Sequence, residues 1–306
     1  MARRRKGQPI NGWLIIDKPA GMTSAAVVGK VRRLLDAAKV GHGGTLDPLA
    51  TGILPLALGE ATKTVAYIME GRKSYRFTAR WGEARDTDDS EGRVTATSDK
   101  RPTRAEIEAT LPHFVGEIRQ IPPIYSAIKV DGERAYALAR DGETVELSAR
   151  AVMVERFALV ELLDADHAVF EVDCGKGTYI RALVRDLATA LGTFGHVTAL
   201  RRTRLGPFHE KDAISLENLQ ALGHSPAAAD LVRPVETALD DIPALAMTEE
   251  EARRLRSGQS VSALAVARRI PLTNVSSVFC AFAEGKPVAL LRIEGGELRP
   301  IRVLNL

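Results

Sequence analysis

The hydrophobic pattern begins with a short buried strand and an amphipathic helix. The stretch "GWLIIDKP" at residues 12–19 is an apolar run closed by a proline, which is typical of a buried strand. Thr23 or Ser24 can cap a helix that continues to about Ala37. Four apolar side chains of this helix fall on one face at i, i+4, i+7 and i+8, namely Val27, Val31, Leu34 and Leu35.

A strict alternation marks the clearest strand of the chain, "KSYRFTARW" at residues 73–81. Its apolar side chains share one face, and its polar side chains share the other. The apolar face consists of Tyr75, Phe77, Ala79 and Trp81. Because successive side chains of a strand point to opposite faces, this pattern predicts a half-buried strand.

The rest of the first 241 residues mixes helical and strand patterns. Helices are predicted at residues 60–69, from residue 101 to Pro112, from about Arg134 onward, and from Ile180 to Leu191 before Gly192. Residues 152–163 and 168–174 predict a strand pair around the turn "DADH". This mixture predicts an α+β catalytic domain over residues 1–241, with a mainly antiparallel mixed sheet flanked by helices.

The pattern of the sequence changes after about Leu239. The segment from residue 242 to residue 306 contains short strand patterns separated by Gly-rich turns at Glu284-Gly285 and Gly295-Gly296. We therefore predict a small β-rich domain over residues 242–306. The break in composition also predicts that the two domains have separate cores.

Composition and charge narrow the class of protein without deciding it. The 306 residues are 45% hydrophobic and 26% charged, as in ordinary globular proteins, and the formal net charge is only +3. The basic residues are nevertheless clustered, in an N-terminal arm (Arg3, Arg4, Arg5, Lys6) and at Arg201, Arg202 and Arg204. Such clusters either contact phosphates or form a solvated face.

Targeting and metal signals are weak. The two cysteines, Cys174 and Cys280, have no disulfide or metal-ligand spacing, and the six histidines lack zinc-site spacing, so no metal is expected. No apolar run is long enough to span a bilayer, and no apolar signal-peptide core follows the basic N-terminus. We therefore expect a cytoplasmic protein without a membrane segment.

One loop presents a lone carboxylate. In "GHGGTLDPLATG" from residue 41, Asp47 follows three glycines and precedes Pro48, which restricts Asp47 to an extended backbone. The glycines allow a ligand or another backbone to come close. On residue type alone, an Asp that caps a backbone turn is the more common alternative. The loop lacks the G-K-[ST] of a P-loop, and no dinucleotide signature occurs in the chain.

Five segments, in this order, resemble the bacterial tRNA pseudouridine synthase B family, which isomerises uridine 55 in the T loop of tRNA. They are "IIDKPAGMTS" (15–24), "HGGTLDPLATGILPLALGEATK" (42–63), "SYRFTARWGEARDTDDSEG" (74–92), "QIPPIYSAIKVDGERAYALAR" (120–140) and "CGKGTYIRALVRDLA" (174–188). The end of the chain, from Leu272, resembles the family's PUA-type RNA-binding module. Arg85 departs from the small polar residue that is usual in the family.

The resemblance implies that Asp47 is the catalytic carboxylate. Isomerisation breaks a C–N glycosidic bond and joins C5 to the ribose with no net change in atoms, so no cofactor is required. An ionised Asp can add to the base, attack the ribose or remove a sugar proton, and the sequence does not choose between these roles. By family position, Arg181 is its partner, because a neighbouring cation favours the ionised form. A phosphate contact is the alternative for Arg181.

The remaining site residues are also implied by the resemblance. Tyr75 is expected to stack on the base, and its hydroxyl to help remove the C5 proton. Tyr179 and Leu200 are expected to pack against the base, and His42 to fill the stack that the flipped base leaves. The alternative for each is a core or loop residue.

The expected partner is the T arm of tRNA, bound by a monomer that needs no protein partner. Two alternatives remain open. One is that the protein chiefly helps tRNA to fold, and the other is that it acts through a scaffold and guide RNA, as archaeal and eukaryotic relatives do.

Overall fold

A computed structural model of the chain describes residues 7–126, 129–130, 133–134, 147–223, 225–270 and 278–306. The predicted basic arm at residues 3–6 lies outside the described residues. So does the helix predicted from about Arg134 onward, beyond a two-residue strand at Glu133–Arg134.

The described residues form two sheets and eight α-helices. The strands are β1 Gly12–Lys18, β2 Val40–His42, β3 Thr51–Leu58, β4 Lys73–Trp81, β5 Glu83–Arg85, β6 Val94–Thr97, β7 Gly116–Gln120, β8 Lys129–Val130, β9 Glu133–Arg134, β10 Arg150–Leu162, β11 His167–Cys174, β12 Gly195–Leu205, β13 Phe208–His209, β14 Ile214–Ser215, β15 Ala244–Ala246, β16 Val261–Ser262, β17 Phe279–Ala283, β18 Lys286–Glu294 and β19 Glu297–Val303. The helices are α1 Ser24–Leu34, α2 Val65–Glu70, α3 Arg104–Thr110, α4 Ile180–Ala190, α5 Leu216–Leu222, α6 Pro226–Asp230, α7 Glu249–Arg256 and α8 Ala263–Ala267. Two small hairpins, β5–β6 and β8–β9, stand apart from these sheets.

The larger sheet has the strand order β14-β1-β3-β12-β4-β11-β10-β7, with β2 added to β3 and β13 to β12. The β1–β14 and β3–β12 pairs are parallel, and the others are antiparallel. The predicted α+β class with a mainly antiparallel mixed sheet is therefore confirmed.

The strongest sequence patterns are confirmed as elements. Strand β4 alternates as predicted, and its apolar side chains from Tyr75 to Trp81 are all buried. Helix α1 is capped by Thr23, whose side chain accepts a hydrogen bond from the Ala26 amide. It ends at Leu34 rather than near Ala37, because Asp36 has a left-handed φ of +45° that no helix continues through.

Strand β3 was not predicted, and Pro55 within it argues against a central strand. The ladders explain why the proline is tolerated. On one edge, β12 pairs with β3 only at Thr51 and Gly52, and β2 pairs from Leu56 to Leu58. Pro55 falls in the gap between these two ladders, where its missing N–H breaks no pairing on that edge.

The smaller sheet follows the order β15-β17-β18-β19-β16 and confirms the predicted β-rich C-terminal domain. Its own core contains residues such as Leu245, Leu255 and Leu291. The expectation of fully separate cores is wrong, however. Leu304 is 2% exposed and packs into a cluster of the larger sheet that includes Trp13 and Phe208.

Polar contacts strengthen this junction. The Lys63 ammonium donates to the Val303 carbonyl at 2.8 Å, and the Asn305 amide donates to the Glu60 carboxylate at 2.7 Å. A further cluster joins Leu239 to Cys280 and Leu290. The division at residues 241 and 242 stays a prediction, but the end of the chain belongs to the core of the larger sheet.

The buried position of Leu304 generates a stability prediction. Leu304→Ala is expected to lower the free energy of unfolding by about 2–5 kcal/mol, because it leaves a cavity among packed side chains. Leu306→Ala is the matched control, since Leu306 is 45% exposed, and its effect should stay within about 0.5 kcal/mol. Urea unfolding measures both, and equal effects would show that the chain end does not dock.

Candidate active site

The loop that carries Asp47 joins β2 to β3. Gly43 and Gly44 precede it, and both are buried. A Cβ atom at Gly43 would lie 3.1 Å from the Ile68 side chain and 3.3 Å from the Trp13 side chain, so a larger residue would have to displace these neighbours by a few tenths of an ångström. Gly44 has φ +112°, in the region that favours glycine. The glycines thus allow a tight path that leaves the Asp47 side chain 36% exposed.

Hydrogen bonds hold the residues on either side of Asp47. The Ser24 hydroxyl donates to the Leu46 carbonyl at 3.1 Å and accepts from the Leu46 amide at 2.9 Å. The Lys18 ammonium donates to the Pro48 carbonyl at 3.1 Å and to two further carbonyls at 2.9 and 2.7 Å. Burial lowers the pKa of Lys18 to about 8. The residues before and after Asp47 are therefore held by hydrogen bonds to α1 and β1.

Arg181 is the ionic partner of Asp47. It is the second residue of α4, and its side chain is 5% exposed. Its Nε atom lies 3.0 Å from Oδ2 of Asp47, without the alignment of a hydrogen bond. Its Nη1 atom lies 3.3 Å from Oδ2 of Asp89 and donates to the Thr87 carbonyl at 2.8 Å. Its Nη2 atom donates to the Tyr125 carbonyl at 2.9 Å.

Asp89 lies in the acidic loop between β5 and β6. Its side chain is 4% exposed, and its Oδ1 atom accepts a hydrogen bond from the Thr87 hydroxyl at 2.6 Å. Its neighbour Asp88 has φ +58° and lies 2.9 Å from Nη1 of Arg185. Burial raises the pKa of Asp88 to about 6, although Arg185 opposes the shift. The loop thus presents two largely buried carboxylates to two arginines of α4.

Arg85 closes this acidic loop. Its Nη1 atom donates to the carbonyls of Ser90 and Gly92 at 3.1 and 3.0 Å, and its Nη2 atom donates to Glu83 at 3.0 Å. Arg85, the residue that departs from the family pattern, therefore stabilises the loop that carries Asp89.

A cavity of about 340 Å³ brings five of the six predicted site residues together, namely Asp47, Tyr75, Tyr179, Arg181 and Leu200. Tyr75 and Leu200 come from the neighbouring strands β4 and β12 and are 8% and 7% exposed. Burial raises the pKa of Tyr75 to about 12 and also raises the pKa of Tyr179. The volume lies in the range of pockets that hold small ligands.

His42 does not line this cavity. It is the last residue of β2, opposite Leu56, and is half-buried. Burial lowers the pKa of His42, and the positive charge of Arg202 lowers it further. The imidazole is therefore neutral at neutral pH.

The role of Gln120, the last residue of β7, was not predicted. It is 1% exposed, accepts a hydrogen bond from the Tyr179 amide at 2.8 Å and donates one to the Tyr179 carbonyl at 3.1 Å. This pair of bonds fixes the backbone at the start of α4, and nothing in the residue type or its spacing could have indicated it.

The expectation that Arg201, Arg202 and Arg204 form a surface cluster, either for phosphates or as a solvated face, is wrong for Arg202, which is 1% exposed and lines the cavity. Because β12 alternates, Arg201 and Arg202 point to opposite faces. Arg201 is half-exposed and forms ion pairs with Asp17 at 2.9 Å and Glu210 at 2.5 Å.

Within the described ranges, no group of three or more His, Cys, Asp or Glu side chains could hold a metal ion. None of the helices described has both the length and the apolar character needed to cross a bilayer.

The buried ion pairs of Arg181 generate a second prediction. Arg181→Met leaves Asp89 buried without its cation, and we expect the free energy of unfolding to fall by ~3–5 kcal/mol. Adding Asp89→Asn should recover part of that loss, because the stranded charge is removed. Arg185→Met is the control, since its side chain is 31% exposed and its loss should be smaller. Urea unfolding of the four proteins decides, and the absence of any recovery would contradict the pairing.

Comparisons with known proteins identify the family of this chain. Residues 32–180 match the N-terminal domain of the TruB family pseudouridylate synthases, and residues 181–240 match the tRNA pseudouridylate synthase B C-terminal domain. The chain is 55% identical to tRNA pseudouridine synthase B of Rhodospirillum rubrum over all of both chains. It is 57% identical to the protein of that name from Gluconacetobacter diazotrophicus, over 99% of this chain and all of the relative.

A solved structure, the Cbf5-Nop10-Gar1 complex, contains a chain of similar fold. The TM-score is 0.74 at 25% identity, over 95% of this chain and 84% of the other. The two family-model segments meet between β11 and β12, which lie in one sheet, so together they describe one folded unit. The chain belongs to the TruB family of pseudouridylate synthases.

Proposed function

We propose that this protein isomerises uridine to pseudouridine in tRNA, at position 55 of the T loop. The observation that carries the proposal is the Asp47 carboxylate paired with Arg181 in a cavity that also presents Tyr75 and Leu200. Full-length bacterial relatives named tRNA pseudouridine synthase B support the choice of tRNA as substrate.

The geometry suits a reaction that needs an ionised carboxylate. Asp47 is partly exposed to the cavity, and Arg181 lies 3.0 Å away, so the carboxylate has an ionic partner and is still accessible to a substrate. When ionised, Asp47 can add to the base, attack C1′ of the ribose or remove a sugar proton. Each role needs the glycosidic bond of the target nucleotide within reach of the carboxylate.

The flipped base would occupy the cavity beside Asp47. Tyr75 offers an aromatic ring for stacking, which contributes roughly 1–3 kcal/mol per base, and its hydroxyl is the acceptor for the C5 proton. Leu200 and Tyr179 line the pocket and would pack against the base. His42, outside the cavity lining and neutral, is placed to replace the extruded base in the RNA stack.

The reaction would use the T arm of tRNA, the protein as a monomer, and no partner protein or guide RNA. The β-rich C-terminal domain would act as a PUA-like RNA-binding module over residues 242–306. Since tRNA is the substrate, the site of action would be the cytoplasm. An additional role in tRNA folding stays a prediction.

The test replaces the proposed catalytic carboxylate. Asp47→Asn should abolish isomerisation and retain tRNA binding, because the amide has the same size but cannot act as nucleophile or base. The assay incubates purified protein alone with an unmodified tRNA transcript that carries tritium at uridine C5, and maps tritium release to the T loop. Asp99→Asn, at an exposed position, is the control and should keep wild-type activity.

Release from the wild-type protein without any added factor would also support the monomer acting alone. Appreciable release by the Asp47→Asn protein would overturn the assignment of Asp47. Release that maps to another position of the tRNA would overturn the choice of uridine 55. If the variant binds tRNA and still accelerates refolding of a misfolded transcript, the folding role is supported independently of catalysis.

A further inference from the structure

Arg202 is a buried cation without a carboxylate partner among the described residues. It is 1% exposed, yet none of the Asp and Glu side chains in the described part of the chain forms an ion pair with it. Its Nε atom donates to the Ile53 carbonyl at 2.9 Å, and its Nη2 atom donates to the Gly44 carbonyl at 3.2 Å. Buried charges are normally paired, so the unpaired positive charge of this guanidinium requires an explanation.

The register of the sheet supplies a partner. Arg202 on β12 stands directly opposite Tyr75 on β4, so the two side chains share one face of the sheet. Both line the cavity that contains Asp47. The positive charge of the guanidinium lowers the pKa of this phenol, against the stronger effect of burial.

The other groups around Tyr75 do not lower the pKa of its phenol in this way. Burial is the largest cause of its raised pKa of about 12, and the negative charge of Asp47 also raises it. Cys174 of β11 is itself neutral, since burial raises its pKa to about 11. Lys73 of β4 donates its ammonium to the carbonyls of Met69 and Gly71 at 2.8 and 2.9 Å. Among the described cations, Arg202 is thus the one that stands directly opposite Tyr75 in the sheet and lowers the pKa of its phenol.

We propose that Arg202 is a positioning residue that orients the Tyr75 hydroxyl toward the target base and favours its proton-accepting form. This inference rests on the proposed function. Once C5 has joined C1′, the Tyr75 phenol releases its own proton to solvent, the C5–H bond breaks with its electron pair staying in the ring, and the C5 proton passes to the Tyr75 oxygen. N1 has lost its bond to the ribose and gains a proton, so the isomerisation closes without any co-reactant.

Arg202 also connects this step to the Asp47 loop. The carbonyl that accepts from Nη2 belongs to Gly44, three residues before Asp47. A purely structural role in holding that loop is therefore the competing explanation. The two roles differ in their effect on Tyr75, because only the proposed one changes the ionisation of the phenol.

The first experiment measures that ionisation without requiring activity. A polyfluorinated tyrosine, which ionises at lower pH than tyrosine, replaces Tyr75, and its fluorine NMR signal is titrated. Removal of the cation in Arg202→Gln should raise the pKa of this phenol by about one unit or more. Arg202→Lys keeps a charge and should give a smaller shift, and it serves if the Gln variant does not fold. Arg201→Gln is the matched control and should give no shift.

The second experiment tests the chemical step. In single turnovers with tRNA carrying deuterium at uridine C5, Arg202→Gln or Arg202→Lys should slow product formation and enlarge the isotope effect. The double variant with Tyr75→Phe should be no slower than Tyr75→Phe alone, because Arg202 acts through the Tyr75 hydroxyl, which Tyr75→Phe has already removed.

The outcomes separate the two proposals. An unchanged phenol pKa in both Arg202 variants, or rate losses that multiply with an unchanged isotope effect, would overturn the role of Arg202. A wild-type protein that forms no pseudouridine would overturn the proposed function, while the fluorine titration would still decide whether Arg202 acts on Tyr75.

Discussion

The candidate site depends on the buried guanidinium of Arg181. It contacts Asp47, Asp89 and two backbone carbonyls, which come from the loop after β2, the acidic loop after β5 and the segment after β7. An arginine presents its N–H donors in a fixed planar fork, so it holds these groups in a defined relative geometry. The cavity therefore exists only when α4 has docked and all three segments are in place. The carboxylate needed for chemistry is positioned by the same contacts that stabilise the fold.

The sequence predicted the elements whose pattern is local. Strand β4 was found because it buries one face and so alternates, and α4 because its apolar residues recur at helical spacing. Strand β12 was missed for the opposite reason. Its consecutive arginines suggest a surface cluster, whereas alternation buries Arg202 and leaves Arg201 half-exposed in ion pairs. A charge that is buried by contacts with distant strands leaves no local signal.

The site itself could be predicted only in part. The residue types and glycines around Asp47 indicate a presented carboxylate, but its partner Arg181 lies 134 positions away and was proposed from family resemblance. Asp89 and Gln120 were not predicted, because their importance arises from burial and from bonds to Arg181 and Tyr179. Such contacts follow from tertiary packing across large sequence separations, which neither periodicity nor composition encodes.

The two buried arginines also explain how an anionic substrate can approach an anionic catalyst. Asp47 would repel the phosphates of an RNA if it stood alone. Arg181 offsets its charge directly, and Arg202 adds a cation that no described carboxylate neutralises. Lys73 and Lys176 line the same cavity, although burial lowers the pKa of Lys73 to about 8 and Glu70 pairs with Lys176. The lining of the cavity therefore contains more basic than acidic side chains, which favours the approach of a polyanion to the single carboxylate, Asp47.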